Sequence, residues 1–252
     1  MLFKTWGNKN NKAIVLLHGG GLSWWSNQEL IESLNDSYYV VSVIIDGHGE
    51  NADQTFLSIE NSAKILIDYI DKELNEKTYA LIGLSLGAQI IVETISQRSD
   101  ITEYIILESA SLYPSKFIGK FSSIVINSFF WLIKYKWFAK IQAKELFISE
   151  NKFDLYYEDT NKIKKQTLIN ILKSSFNYEL KNSVEKTKAK ALIIVGEKEI
   201  KKILRSAEIL KTKIKKSEIF IAKNMRHGEF SLFHYNEYFE ILKTFFNNER
   251  IL

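Results

Sequence analysis

Apolar residues along the chain fall into two alternating patterns. The runs at residues 13–17, 39–45, 79–82, 104–107 and 191–195 are short, continuous and rich in Val, Ile and Leu, as strands covered on both faces are. Residues 218–222 read as a last strand and residues 2–6 as a weak first one at an edge. Between these runs, residues 27–34, 59–73, 88–97, 204–214 and 237–246 carry helical spacing. In residues 59–73, Ala63, Leu66, Ile67 and Ile70 fall at i, i+3, i+4 and i+7, which turns one face of that helix onto a sheet. Alternating strands and helices need right-handed crossovers, so the expected fold is α/β, a doubly wound and mostly parallel sheet.

The alternation stops at residues 113–182, about 70 residues with helical spacing and no convincing strand. The expected organisation is a core of residues 1–112 and 183–252 with a helical cap inserted at 113–182. Residues 116–144 hold six lysines, no acid and a dense set of aromatics: Phe117, Phe121, Phe129, Phe130, Trp131, Tyr135, Trp137 and Phe138. Such rings either pack within the insertion and on the rim of the sheet, or line an apolar substrate pocket or rest on a membrane surface.

Composition narrows the function classes. Across 252 residues, 34 Lys and Arg face 30 Asp and Glu, a net charge of +4, too balanced to suggest a nucleic-acid binder. The chain is 46% apolar and 25% charged, which is globular composition. With no cysteine, disulfides, thiolate catalysis and Cys-ligated zinc are excluded. The longest uncharged apolar run, residues 121–133, has 13 residues, short of the roughly 20 of a membrane span. The first residues lack the apolar stretch and cleavage site of a secretory signal, so a cytoplasmic protein is expected.

The strongest chemical signal is Gly83-Leu84-Ser85-Leu86-Gly87, directly between a strand and a helix. A sharp strand-to-helix turn lifts the central residue off the sheet, and it closes only if the residues two before and two after carry no clashing side chain. Ser85 would then sit over a helix N-terminus, whose free N–H groups favour developing negative charge. A second signal is His18-Gly19-Gly20-Gly21 at the end of the strand at 13–17. Glycines there let backbone amides approach a ligand. The Gly20 N–H, with Gly21 beside it, and the Leu86 N–H are the expected oxyanion donors. A phosphate loop is the rival reading, but neither the G-x-G-x-x-G spacing nor a G-K-[ST] triplet is present.

A serine hydroxyl is a poor nucleophile until a base takes its proton. Of four histidines, His18 belongs to the glycine loop, His48 to the turn Asp46-Gly47-His48-Gly49-Glu50, and His234 to the region of the last helix. His227, followed by Gly228 on the loop after the last strand, is the expected base, because that loop ends at the same sheet edge as Ser85. The imidazole needs a carboxylate to fix its tautomer. Glu199, after the strand at 191–195, gives the chain order Ser85, Glu199, His227. Glu108, ending the strand nearer Ser85, is the alternative acid, and Glu197 a weaker one.

These segments, together with Val195-Gly196-Glu197-Lys198-Glu199, resemble those of α/β-hydrolase-fold proteins of the lid-bearing esterase, lipase and peptidase type, in the same order over residues 13–228. The resemblance implies a sheet of about eight strands, a Ser–acid–His triad, no cofactor, and a helical cap after the sixth strand. Members usually carry Asp where this chain has Glu199, and some place the carboxylate after the sixth strand, which leaves Glu108 open as the acid. The expected function is a carboxylesterase-like serine hydrolase acting on a small-molecule ester with a small to medium apolar acyl group. Thioesters, amides at a peptide N-terminus and carbon–carbon bonds beside a ketone suit the same machinery. Two rivals stand beside it: a ligand receptor with a slow or silent Ser85, and a membrane-surface enzyme held weakly through the cap.

Overall fold

A computed structural model describes residues 1–247, and their side chains except those of residues 116–122. Seven strands form one sheet: β1 (Leu2–Trp6), β2 (Ala13–Leu17), β3 (Tyr39–Ile44), β4 (Thr78–Leu84), β5 (Thr102–Glu108), β6 (Lys190–Gly196) and β7 (Ser217–Ala222). Their order is β1-β3-β2-β4-β5-β6-β7, with β1 antiparallel to β3 and every other pairing parallel. The resemblance implies about eight strands. Here the segment before β2 has room for one strand and a turn, and that strand is β1.

The strands are apolar on both faces because both are covered. Val15, Leu17, Val41, Leu81, Ile105 and Ile193 pack with α2 (Ile59–Glu73), α3 (Leu86–Gln97) and α8 (Lys201–Lys213). The alternating neighbours Ile14, Leu16, Val40, Ile82, Ile106 and Leu192 pack with α1 (Gln28–Leu34), α9 (Glu229–Phe233) and α10 (Tyr235–Phe246). Burying an aliphatic side chain contributes roughly 1.5–3 kcal/mol, and a sheet covered twice gains it from successive residues. Strand order reverses between β2 and β4, so the loops after these strands part and open a crevice at the carboxyl edge.

Four helices, α4 (Lys116–Phe129), α5 (Lys136–Glu145), α6 (Phe153–Lys162) and α7 (Lys165–Asn177), fall between β5 and β6 and lie over that edge. Trp25 Nε1 donates to Asp159 of α6 at 2.9 Å, and Gln89 of α3 donates to the carbonyls of Ser111 and Ser175 at 2.6 and 3.2 Å. The aromatic cluster divides. Phe129, Trp131, Tyr135 and Trp137 are exposed, whereas Phe130 and Phe138 are partly buried; the side chains of Phe117 and Phe121 lie outside the described residues. Among the described residues no helix is long and apolar enough to cross a membrane.

Candidate active site

Ser85 joins β4 to α3 with φ +52° and ψ −108°, a strained backbone for a residue with a side chain. Its amide is held by the Glu108 carbonyl at 2.8 Å. Both flanking glycines are required by space. A Cβ on Gly83 would lie 2.7 Å from the Gly87 carbonyl carbon, and one on Gly87 would lie 2.3 Å from the Leu17 carbonyl oxygen. The turn therefore closes against the end of β2, which brings the glycine loop beside Ser85.

That loop is fastened from behind by His18. Its Nδ1–H donates to the Gly19 carbonyl at 2.8 Å, and its Nε2 accepts from the Ile45 amide at 3.1 Å. Burial, and then the neighbouring His48, push the His18 pKa down to about 3, so the ring stays neutral and both bonds persist. Gly20 and Gly21 line the cavity in front of Ser85. The Leu86 side chain passes 3.7 Å from where a Gly20 Cβ would stand. The Leu86 N–H belongs to the first turn of α3, where amides have no intrahelical acceptor.

His227 comes from the loop between β7 and α9. Its Nε2 stands 3.0 Å from Ser85 Oγ, and its Nδ1 stands 3.1 Å from both carboxylate oxygens of Glu199. With Nδ1–H donated to Glu199, Nε2 is free to accept the serine proton. The loops after β6 and β7 are stitched together. Glu197 N donates to Ala222 O and Lys198 N to Met225 O, each at 2.9 Å, and Asn224 N donates to the Glu197 carboxylate at 2.8 Å. Glu197 thus fixes the loop and does not touch the imidazole.

The two candidate acids are separated by these contacts. Glu199 is buried and accepts from His227 and from the Ser109 hydroxyl. Glu108 is also buried, but its Oε1 accepts from the Ser231 amide at 3.3 Å and its Oε2 has no partner. Desolvation raises the Glu108 pKa to about 7 against the opposing bonds from Ser231 and the His227 charge. Desolvation alone would lower the His227 pKa; the hydrogen bond and charge of Glu199, with the charge of Glu108, outweigh it and the net shift is upward. His48 is buried with Nδ1 toward the Asp46 carbonyl at 3.1 Å, and His234 sits near Glu237 at 3.8 Å; neither lines the cavity.

The cavity holds about 520 Å³, with Ser85 and His227 on its floor, a size for a small or medium organic ligand. Leu146 at the end of α5, Tyr156 of α6 and Ile171 and Phe176 of α7 form much of its wall, and Ile200, Lys202 and Ile203 close the side at the start of α8. Ser109 and Lys202 belong to this arrangement and carry no flag in the residue pattern. Ser109 directly follows Glu108 at the end of β5, so the strand order alone, placing β5 between β4 and β6, points to it.

The sequence profile of the family described as serine aminopeptidase, S33, a group of α/β hydrolases, matches residues 8–230. The chain belongs to this family. Among curated proteins, this chain is 26% identical to Uncharacterized hydrolase YugF of Bacillus subtilis (strain 168) over 113 residues, 44% of this chain. That match spans about two fifths, 41%, of the relative's length. The fold of this chain is similar to that of a bromoperoxidase from Bacillus anthracis (TM-score 0.79, 22% identity, 98% of this chain and 95% of that one). It is equally similar to that of an esterase from Exiguobacterium antarcticum (TM-score 0.80, 16% identity, 97% and 94%).

Proposed function

We propose that this chain is a serine hydrolase that cleaves a carboxylic ester with a small to medium apolar acyl group, through an acyl-enzyme on Ser85. The observation that carries the reading is the chain of contacts Ser85 Oγ to His227 Nε2 at 3.0 Å and His227 Nδ1 to Glu199 at 3.1 Å, on the floor of an apolar cavity. Ser85 Oγ attacks the ester carbonyl while its proton passes to His227 Nε2. Glu199 holds the ring in the tautomer that can accept and stabilises the imidazolium. Gly20 and Leu86 amides receive the oxyanion, each contributing about 3 kcal/mol to the transition state. His227 then returns the proton to the departing alkoxide. Water repeats the sequence on the acyl-enzyme, with His227 again as base. Residues 113–182 serve as the cap that supplies most of the apolar wall.

An ester is favoured over a peptide N-terminus by the cavity's charges. Binding an α-ammonium calls for an uncommitted carboxylate. Among the described residues, the carboxylate lining this cavity is Glu199, already bound to His227 and Ser109, and the other formal charge is the cation of Lys202. A fluorophosphonate probe tests the mechanism: it labels Ser85, and Ser85→Ala abolishes both labelling and turnover of p-nitrophenyl butyrate. Ligand binding without labelling or turnover would leave the receptor reading in its place.

A second reading rests on the outer surface of the same insertion. Ile124, Val125, Phe129, Trp131, Trp137 and Ile141 are each at least half exposed, among lysines and without an acid before Glu145. Such a face suits weak docking on an anionic lipid surface. Sedimentation with phosphatidylserine vesicles at low salt, reduced by Trp131→Ser with Trp137→Ser, is the expected result; no sedimentation at low salt removes the reading.

A further inference from the structure

Lys202 is the one formally charged side chain lining the cavity, among the described residues, that has no charged partner. Glu199 is consumed by His227 and Ser109. Lys202 sits in the first turn of α8, on the cavity side. Its ammonium donates to the Ser115 hydroxyl at 3.0 Å and lies 5.2 Å from the centroid of the Phe176 ring, which itself lines the cavity. An ammonium offers three N–H donors, and one hydroxyl and one ring face leave it without a counter-anion. Ile200, Ile203 and Leu172 line the same cavity, with Ser111 and Ser175 among its polar lining. A lysine needed only for solubility would reach water from the open face of α8, as Lys201, its exposed neighbour, does.

We propose that Lys202 is a specificity-determining residue that receives a carboxylate carried by the substrate, so that the preferred ligand is an ester whose apolar chain ends in an anion. The proposal rests on the ester-hydrolase reading of Ser85 and narrows its substrate class. Lys202 is partly buried at this apolar wall, so a charge-assisted hydrogen bond formed there is screened less than one on the open surface. Partial burial also lowers the Lys202 pKa, because it disfavours the charged ammonium. The methylene chain of such a substrate would lie along Ile171, Leu172 and Phe176 of α7, with the ester over Ser85 at one end and the carboxylate at the other.

Binding to the Ser85→Ala protein, measured by calorimetry, tests this without turnover, using two methyl esters of equal chain length: monomethyl glutarate, which carries a terminal carboxylate, and methyl pentanoate, which does not. The expected result is tighter binding of monomethyl glutarate, with the affinity ratio falling about tenfold in Ser85→Ala/Lys202→Met and largely kept in Ser85→Ala/Lys202→Arg, which retains the charge. A ratio that Lys202→Met leaves unchanged overturns the proposal and makes Lys202 a structural tie to Ser115. Turnover of p-nitrophenyl pentanoate by the unmutated protein reports on the hydrolase reading separately: if it is absent while the binding ratio depends on Lys202, the anion site stands and the esterase assignment falls.

Discussion

The Ser109 hydroxyl donates to Oε1 of Glu199, the same carboxylate that accepts from Nδ1 of His227. Ser109 is buried and holds a positive φ of 56°, with its amide bound to the Ile194 carbonyl at 3.0 Å, so the hydroxyl is aimed by backbone that the ends of β5 and β6 fix together. Ser109 does not line the cavity. A hydrogen bond to a charged group contributes about 1.5–3 kcal/mol, and here it orients the carboxylate. Ser109→Ala is therefore expected to lower kcat by about tenfold while leaving KM nearly unchanged, as steady-state kinetics on p-nitrophenyl butyrate would read. An equal effect on KM would mean that the hydroxyl shapes the pocket instead.

The two buried glutamates separate in the same assay. Glu199→Gln replaces the acceptor of Nδ1–H by a group able to present its own N–H, which favours the wrong tautomer; by analogy with serine proteases, turnover falls by about 10⁴-fold. Glu108 makes its hydrogen bond to the Ser231 amide and not to the ring, so Glu108→Gln keeps turnover within a few-fold of the unmutated protein at pH 8.

The pH dependence of kcat/KM follows from the direction of the His227 shift. The base must be neutral to accept a proton, and its pKa is raised above the ordinary 6.5 by Glu199 and Glu108 against the opposing desolvation. The acidic limb of the profile is therefore expected with its midpoint above 6.5. Glu108 keeps its own proton below about 7, so its charge acts on the upper end of the limb, and in Glu108→Gln that end is expected to move to lower pH. A limb that stays put in the variant would show that the Glu108 charge does not reach the imidazole.

The parallel strands are legible in the sequence because burial on both faces turns each into an unbroken apolar run; residues 2–6 and 59–73 are bounded as β1 and α2 are. The start of α3 is displaced, since Leu86 and Gly87 read as turn yet already lie in the helix. Spacing located Ser85 and His227, whose neighbouring glycines mark sharp turns. Choosing between Glu199 and Glu108 needs coordinates, because both lie at the same sheet edge and differ in partner: Glu199 meets the His227 ring and the Ser109 hydroxyl, Glu108 the Ser231 amide. The contacts of Ser109 and Lys202 join distant segments, at separations of 90 residues to Glu199 and 87 to Ser115, and nothing local signals either.

The closeness of two turns sets another expectation. A Cβ on Gly87 would meet the carbonyl oxygen of Leu17 at 2.3 Å and that of His18 at 2.8 Å, both backbone atoms that have no rotamer to escape into. Gly87→Ala must push α3 away from the end of β2, at a cost of about 1–3 kcal/mol for an overpacked site. It would also widen the gap between Leu86 and Gly20. Thermal denaturation should show a lower Tm, and labelling of Ser85 by a fluorophosphonate should slow by more than the loss of folded protein explains.

Glu108 carries the last prediction, which concerns stability. Burial raises its pKa from the ordinary 4.5 to about 7. Below pH 4.5 the folded and unfolded chains both hold the proton, and the group costs nothing through linkage. Between 4.5 and about 7 the unfolded chain releases it while the folded one does not, so stability falls as pH rises, by roughly 3 kcal/mol across the window at 1.36 kcal/mol per pKa unit. Above about 7 the cost is constant, because a charged carboxylate then sits in the fold with its Oε2 unpartnered. Glu108→Gln removes the titration while keeping the shape. The Tm difference between Glu108→Gln and the unmutated protein should therefore grow in the variant's favour from pH 5 to pH 8, and a difference independent of pH would contradict it.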